Sequence, residues 1–362
     1  MFYYRIAILT LESEYRLQSF DAFVCKKSKA DVTLKATDEI PLPGKDQVSG
    51  SIVHRAQLDG WFFHPESTDQ IGLFVNSDCT RLRMKGCENE ILSGKHEWFV
   101  RIALECWLAR HGYVSLHAAA VEINDQAVAF TGPSGLGKST RADMMIRSLG
   151  ARLINGDRPL ICVKDQSVYG VPWDGKEQCF RNVHYPLQNI CEVRRSASVY
   201  VRRMNFQQRR KLLLRQCFMP MWDTETVMFQ MANISKIAVS FPIVRIFCGP
   251  EGKDVQALYD ILQKQAFLKE EPEIKATGKF ILRNEENKNL LAPRENNKGA
   301  FSGVLLLNEV SALVWEKLQN PLSKEDLLTA ILDEFDVDNS VASDDLDILL
   351  EILYNYGAIN NE

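Results

Sequence analysis

Gly132-Pro133-Ser134-Gly135-Leu136-Gly137-Lys138-Ser139-Thr140 meets the pattern G-x-x-x-x-G-K-[ST] at every defined position. Before it, Ala127-Val128-Ala129-Phe130 reads as a buried strand. After it, Arg141 to Leu149 reads as a helix that Gly150 closes. Strand, loop and helix in that order are the setting in which the pattern binds phosphate. Its glycines let successive backbone N–H groups turn inward around a polyphosphate, and the helix start adds partial positive charge. Gly132, Ser134, Gly135, Leu136, Gly137, Lys138, Ser139 and Thr140 are the expected nucleotide-binding residues. Lys138 is expected on the β- and γ-phosphates, and the Ser139 hydroxyl on Mg²⁺. The plain alternative is a glycine-rich turn before a helix; the flanking strand and helix favour the phosphate reading.

The rest of the chain sets bounds. Its 362 residues suggest two or three domains, and 46% apolar and 25% charged residues with a net charge of -4 describe a globular protein in water. That balance supplies no positive field for a nucleic-acid backbone, so no nucleic-acid partner is expected. No apolar run is long enough to span a bilayer, and Met1 to Leu9 lacks the basic start and cleavage site of a signal peptide. No membrane partner is expected, and the cytoplasm is the expected location. The nine cysteines are scattered without a Cys-x-x-Cys pair and read as reduced, buried thiols.

In chain order, residues 1–94 give short apolar segments between turn residues, among them Phe20-Asp21-Ala22-Phe23-Val24, and suggest a β-rich region. Glu97 to Arg110 has helical spacing. Leu116 to Ile123 and the strand before the loop form an expected hairpin turning at Asn124-Asp125, with His117 at its start. Ala151 to Arg158 reads as a strand ending in an acid, and Pro159 to Val163 with Ser167 to Trp173 as another hairpin. Val193 to Gln216 is rich in arginine; a solvated face and a peptide- or phosphate-contacting role are both open for it. Residues 95–268 make one α/β domain, 269–276 a charged linker, and 277–362 a small unit of three strands and three helices.

Phosphoryl transfer needs a metal, an acceptor, and a group that positions or deprotonates the acceptor. Asp157 is the candidate for the last role, since strand carboxyl ends are where an α/β sheet meets ligands. It is also open as a turn carboxylate after Asn155-Gly156, or as a magnesium ligand through water. His117 is a second catalytic candidate, and Glu177 a third acid for the metal; a satisfied structural histidine and a solvated loop acid are the alternatives.

The series His117, phosphate loop, Asp157 and Gly170-Val171-Pro172-Trp173-Asp174-Gly175 resembles the catalytic domain of HPr kinase/phosphorylase. It looks most like the smaller relatives in peptide natural-product clusters, including the lasso-peptide kinases, over about Leu116 to Leu268. The resemblance implies a P-loop, phosphoenolpyruvate-carboxykinase-like α/β core that moves the γ-phosphoryl of ATP to a serine hydroxyl with Mg²⁺. It also implies active-site roles for His117, Asp157 and Lys138. Relatives commonly carry two adjacent acids where this chain has Gly156-Asp157, so one carboxylate must serve as base or metal partner. Hexamers occur among the HPr kinases, so a homo-oligomer is an open expectation.

Leu307 to Leu318, with Leu346 to Ile359 ending in Tyr356-Gly357-Ala358-Ile359, resembles the PqqD family over about Thr277 to Asn360. That family holds leader peptides of ribosomally made, modified peptides. The resemblance implies a winged-helix-like fold in which the leader adds beside Gly303 to Leu307, at Val304, Leu305 and Leu306, and docks near Leu346, Leu350 and Leu353. Together the two resemblances imply an ATP- and Mg²⁺-dependent kinase of a precursor peptide. A nucleotide-gated leader chaperone and a nucleotide hydrolase or phosphorylase remain open beside it.

Overall fold

The computed structural model describes residues 1–38, 47–49, 52–55, 59–64, 72–85, 91–92, 94–173, 180–196, 199–249, 255–264, 273–294 and 303–361. The chain divides into two compact units, Met1–Lys269 and Glu270–Glu362.

In the first unit, eight strands between Phe2 and Lys85 form one sheet. One segment departs from its strand-like reading: Gln18–Phe23 is a 3-10 helix. Phe20 and Phe23 stand three residues apart, the repeat of that helix, and both are buried. A strand would send them to opposite faces. The helix Lys95–Arg110 packs Phe99, Val100 and Leu104 into the same cluster as Tyr4, Leu11, Leu34 and Leu82 of the sheet. Residues 1–94 and the helix that follows them therefore share a core.

A nine-stranded sheet carries the rest of this unit. Its hairpin pairs Ala118–Ile123 antiparallel with Gln126–Thr131. Asn124 and Asp125 both adopt positive φ, 52° and 60°, the two-residue turn whose twist suits a hairpin. Gln126–Thr131 then runs parallel to His184–Arg195, which runs parallel to Ile243–Cys248. Parallel neighbours put their carboxyl ends on one edge, where ligands meet such sheets. The helix Lys138–Leu149, closed by Gly150 at φ 70°, lays Ala142 and Met145 on Val121, Val128 and Phe130. Phe206–Gln216 and Thr224–Ser240 cover the opposite face through Leu212, Leu213, Ile234 and Ile237. Gly170 marks a close chain crossing: a Cβ there would lie 1.9 Å from the Arg181 carbonyl oxygen.

The second unit has three antiparallel strands, Phe280–Glu285, Lys288–Pro293 and Leu305–Leu307. Three helices follow, Glu309–Lys317, Lys324–Glu334 and Asn339–Asn355. Asn308 caps the first, accepting from the Ser311 N–H at 2.8 Å, and Ser323 caps the second, accepting from the Asp326 N–H at 3.1 Å. Leu291, Trp315, Leu318, Leu327 and Leu346 meet in its core. The stretch 269–276 is not all linker: Ile274–Ala276 is a strand, antiparallel to Ile359–Asn361. Ile274 is apolar, enters the core, and exchanges backbone hydrogen bonds with Leu322 at 2.8 and 3.1 Å. The pairing ties the two ends of the unit together.

All seven cysteines among the described residues are free, and six are buried. No helix among them is long and apolar enough to cross a membrane.

Candidate functional site

The strand Gln126–Thr131 buries Ala127 to Phe130 completely and delivers the chain to the glycine loop at the sheet's carboxyl edge. Gly132, Gly135 and Gly137 take φ of 134°, 81° and 95°, a region that side-chain-bearing residues rarely enter. Gly137 starts the helix at Lys138 and offers no side-chain cap. The first backbone bond into the helix is Arg141 N–H to the Gly137 carbonyl at 2.9 Å. The N–H groups of Lys138, Ser139 and Thr140 are first-turn donors that no intrahelical carbonyl pairs. Ser134, Gly135, Ser139 and Thr140 are exposed, and Leu136, Gly137 and Lys138 half-buried. Lys138 Nζ donates to the carbonyls of Gly132 at 3.0 Å and Pro133 at 3.2 Å. Burial pulls this ammonium below its usual pKa, and Asp157 opposes the shift.

Asp157 and His117 meet beside that lysine, with Oδ1 and Nε2 3.4 Å apart. Both are about one-third exposed. His117 is fixed through its backbone. Its N–H donates to Gln216 at 2.8 Å, and its carbonyl accepts from Thr131 Oγ1 at 2.9 Å, the last residue before the loop. The Ala118 N–H donates to the Asp157 carbonyl at 2.8 Å. Burial pushes His117 below the ordinary imidazole value. The positive charges of Lys138 and Arg158 push the same way, and Asp157 pulls back. Three sequence candidates, His117, Lys138 and Asp157, are thus within electrostatic reach of one another.

What aims Asp157 is Asn155, a residue the sequence reading treated only as part of a turn. It is fully buried. Its Oδ1 accepts from the N–H groups of Asp157 at 3.1 Å and Arg158 at 2.7 Å. Its Nδ2 donates to the carbonyls of Val171 at 3.2 Å and Trp173 at 3.1 Å. The side chain thereby welds the acid's turn to Val171-Pro172-Trp173. The Asn-Gly pair was the available signal, but nothing in it foretells the second pair of bonds.

Arg195 was also missed as a site residue. It ends the parallel neighbour strand, is exposed, and donates from Nη2 to the Gly135 carbonyl at 2.9 Å. Beneath the loop lies a buried charge cluster. Glu192 accepts from Arg245 at 2.5 Å and Arg194 at 2.7 Å, and its Cγ is 3.9 Å from where a Gly132 Cβ would stand. Other arginines of the basic stretch are structural: Arg209 donates to the carbonyls of Met204 at 2.7 Å and Ala238 at 3.3 Å. Arg202 lies 5.4 Å over the Tyr200 ring. Glu177 lies outside the described residues. No group of three His, Cys, Asp or Glu among the described residues forms a metal cage. Ser139 and Asp157 carry oxygen donors, the type Mg²⁺ takes while keeping most of its waters.

In the second unit, Leu305–Leu307 pairs with Lys288–Pro293 on one side and stands at the sheet's edge. Val304 and Leu306 are 55% and 67% exposed, while Leu305 is half-buried. Directly after this strand, at Asn308, begins a groove of about 340 Å³ walled by Val310, Ile331, Val341, Leu346, Ile348 and Ile352. Leu346 lines it from the core. Leu350 and Leu353 do not line it: both are buried in the core, Leu353 at 0% exposure. The exposed residues Val341, Ile348 and Ile352 of the same helix line it instead.

One comparison with known proteins bears on this second unit. Residues 287–359 match the family of coenzyme PQQ synthesis protein D (PqqD). Among solved structures, one described as TbiB1 in complex with the TbiA(beta) leader peptide is 20% identical, with a TM-score of 0.21. The match covers 24% of this chain and 94% of that one. No curated protein matches.

Proposed function

We propose that this chain is an ATP- and Mg²⁺-dependent kinase of a ribosomally made precursor peptide, recruited through the peptide's leader by the PqqD domain. The observation that carries the reading is the convergence of Lys138, His117 and Asp157 at the mouth of the glycine loop. The PqqD domain on the same chain supports a peptide as the acceptor's carrier. Tethering raises the effective concentration of the peptide near the loop, so a weakly selective active site still modifies the right chain.

Each residue has a task in this mechanism. The loop N–H groups hold the phosphates, and Lys138 exchanges the carbonyls of Gly132 and Pro133 for phosphate oxygens. The Ser139 hydroxyl would hold an Mg²⁺ that keeps most of its waters and would neutralise phosphate charge when bound, which leaves Asp157 free to act as the base. Asp157 receives the proton of the acceptor hydroxyl, a serine's in this reading, while the acceptor oxygen bonds to the γ-phosphorus and the bond to the ADP oxygen breaks. Neutral His117 and Asn155 keep the carboxylate aimed. In the second unit the leader adds as a strand beside Leu305–Leu307, with Val304 and Leu306 toward it, and lays side chains into the groove.

Gly156 supports a second reading, a nucleotide-gated leader chaperone, because it leaves Asp157 as a single carboxylate at this turn. Asp157→Asn separates the two. The kinase reading expects a variant that still binds ATP and leader but makes no phosphopeptide. Peptide processing that proceeds unchanged in that variant would favour the chaperone.

A further inference from the structure

The groove of the second unit contains one charged residue, and its position is the informative feature. Val341, Asp345, Ile348 and Ile352 stand at i, i+4, i+7 and i+11 of the helix Asn339–Asn355, so they form one stripe along it. All four are exposed, and all four line the groove. Asp345 thus interrupts an apolar wall near its middle. Two positions on, Asp347 is bound by Lys324 at 2.5 Å. Among the described residues, no lysine, arginine or histidine pairs with Asp345.

We propose that the groove selects a peptide segment with a lysine or arginine between apolar residues, the cation seated on Asp345. The proposal rests on the reading of this unit as a peptide-binding domain and names what that peptide must carry. A ligand that fills the stripe strips water from the Asp345 carboxylate. An apolar side chain there would leave a desolvated charge without a partner, and an acidic one would add repulsion. A long basic side chain meets both demands of the site. Its methylene stem lies along Val341 and Ile348, and its head reaches the carboxylate. Exposed Asp344 and the acids flanking Val337, Asp336 and Asp338, give that rim the same sign. The volume, about 340 Å³, suits a few side chains of an extended segment.

The test selects peptides from a displayed random library on the full chain, its Asp345→Asn and Asp345→Lys variants, and an Ile348→Glu variant that blocks the groove. The expected result is a set of peptides that Ile348→Glu no longer retains. In that set Lys or Arg recurs at a fixed distance from Leu, Ile or Phe. Asp345→Asn should weaken the best synthetic peptide about tenfold, and Asp345→Lys should turn the selected position to Asp or Glu. Groove-dependent peptides with no basic position, or a selection unchanged by Asp345→Lys, would overturn the proposal and leave peptide binding standing. If no selected peptide depends on Ile348, the peptide reading of the groove falls, and the proposal with it.

Discussion

The two units present opposite kinds of surface. In the proposed function, recognition at the glycine loop rests on backbone N–H groups and on His117, Lys138 and Asp157, with apolar residues serving only as scaffold. In the groove it would rest on Val341, Ile348 and Ile352 and on a strand edge, with one carboxylate among them. The first surface depends on geometry fixed to fractions of an ångström, because charge transfer tolerates little misplacement. The second depends on area and shape, which many apolar residues supply. Substitutions in the two units should therefore fail differently.

The largest effects belong to the first surface. Asp157→Asn is expected to lower turnover roughly 10²–10⁴-fold, the range for loss of a general base, with nucleotide and peptide affinity kept. Steady-state kinetics with binding measured separately checks this. A parallel fall in peptide affinity would break the contrast between the units.

Next comes the core of the second unit. Leu353→Ala, at a fully buried position, should destabilise that unit by about 2–5 kcal/mol in denaturant unfolding and leave the loop's nucleotide affinity unchanged. Ile352→Ala, on the exposed stripe, should cost little stability and weaken peptide binding about tenfold. If the two variants behaved alike, the assignment of core and groove faces would be wrong.

Arg195→Ala should be milder. Losing an exposed bond to the loop is expected to reduce nucleotide affinity about threefold, read by calorimetry. The subtlest test is the titration of His117 by NMR. Its pKa should lie below the ordinary value of about 6.5, and Asp157→Asn should lower it further, since Asp157 is the charge that raises it. Because folding depresses this pKa, the unfolded chain binds the proton first as pH falls. His117 therefore leaves stability untouched above about 6.5 and reduces it from there down to the depressed value.

How much of this was legible beforehand follows from the same contrast. The shape of the glycine loop could be read because residue types at set spacings fix it: positive φ demands glycine, and the helix begins at Lys138. Asn155 and Arg195 could not. Their roles depend on carbonyls of Val171, Trp173 and Gly135 that only tertiary pairing brings near. In the last helix, both Leu346-Leu350-Leu353 and Val341-Ile348-Ile352 are apolar stripes at helical spacing. Periodicity identifies such a helix but cannot say which stripe faces the core. Ile274 was hidden for a related reason, a single apolar residue after a charged run whose partner strand lies at the far end of the unit.

The most direct measurement is mass spectrometry of a precursor peptide, sought among short neighbouring reading frames, after incubation with the protein, ATP and Mg²⁺. The account predicts a gain of one phosphoryl group on a hydroxyl residue, abolished by Lys138→Ala. A precursor that binds through its leader yet gains no mass with the unaltered protein would contradict it.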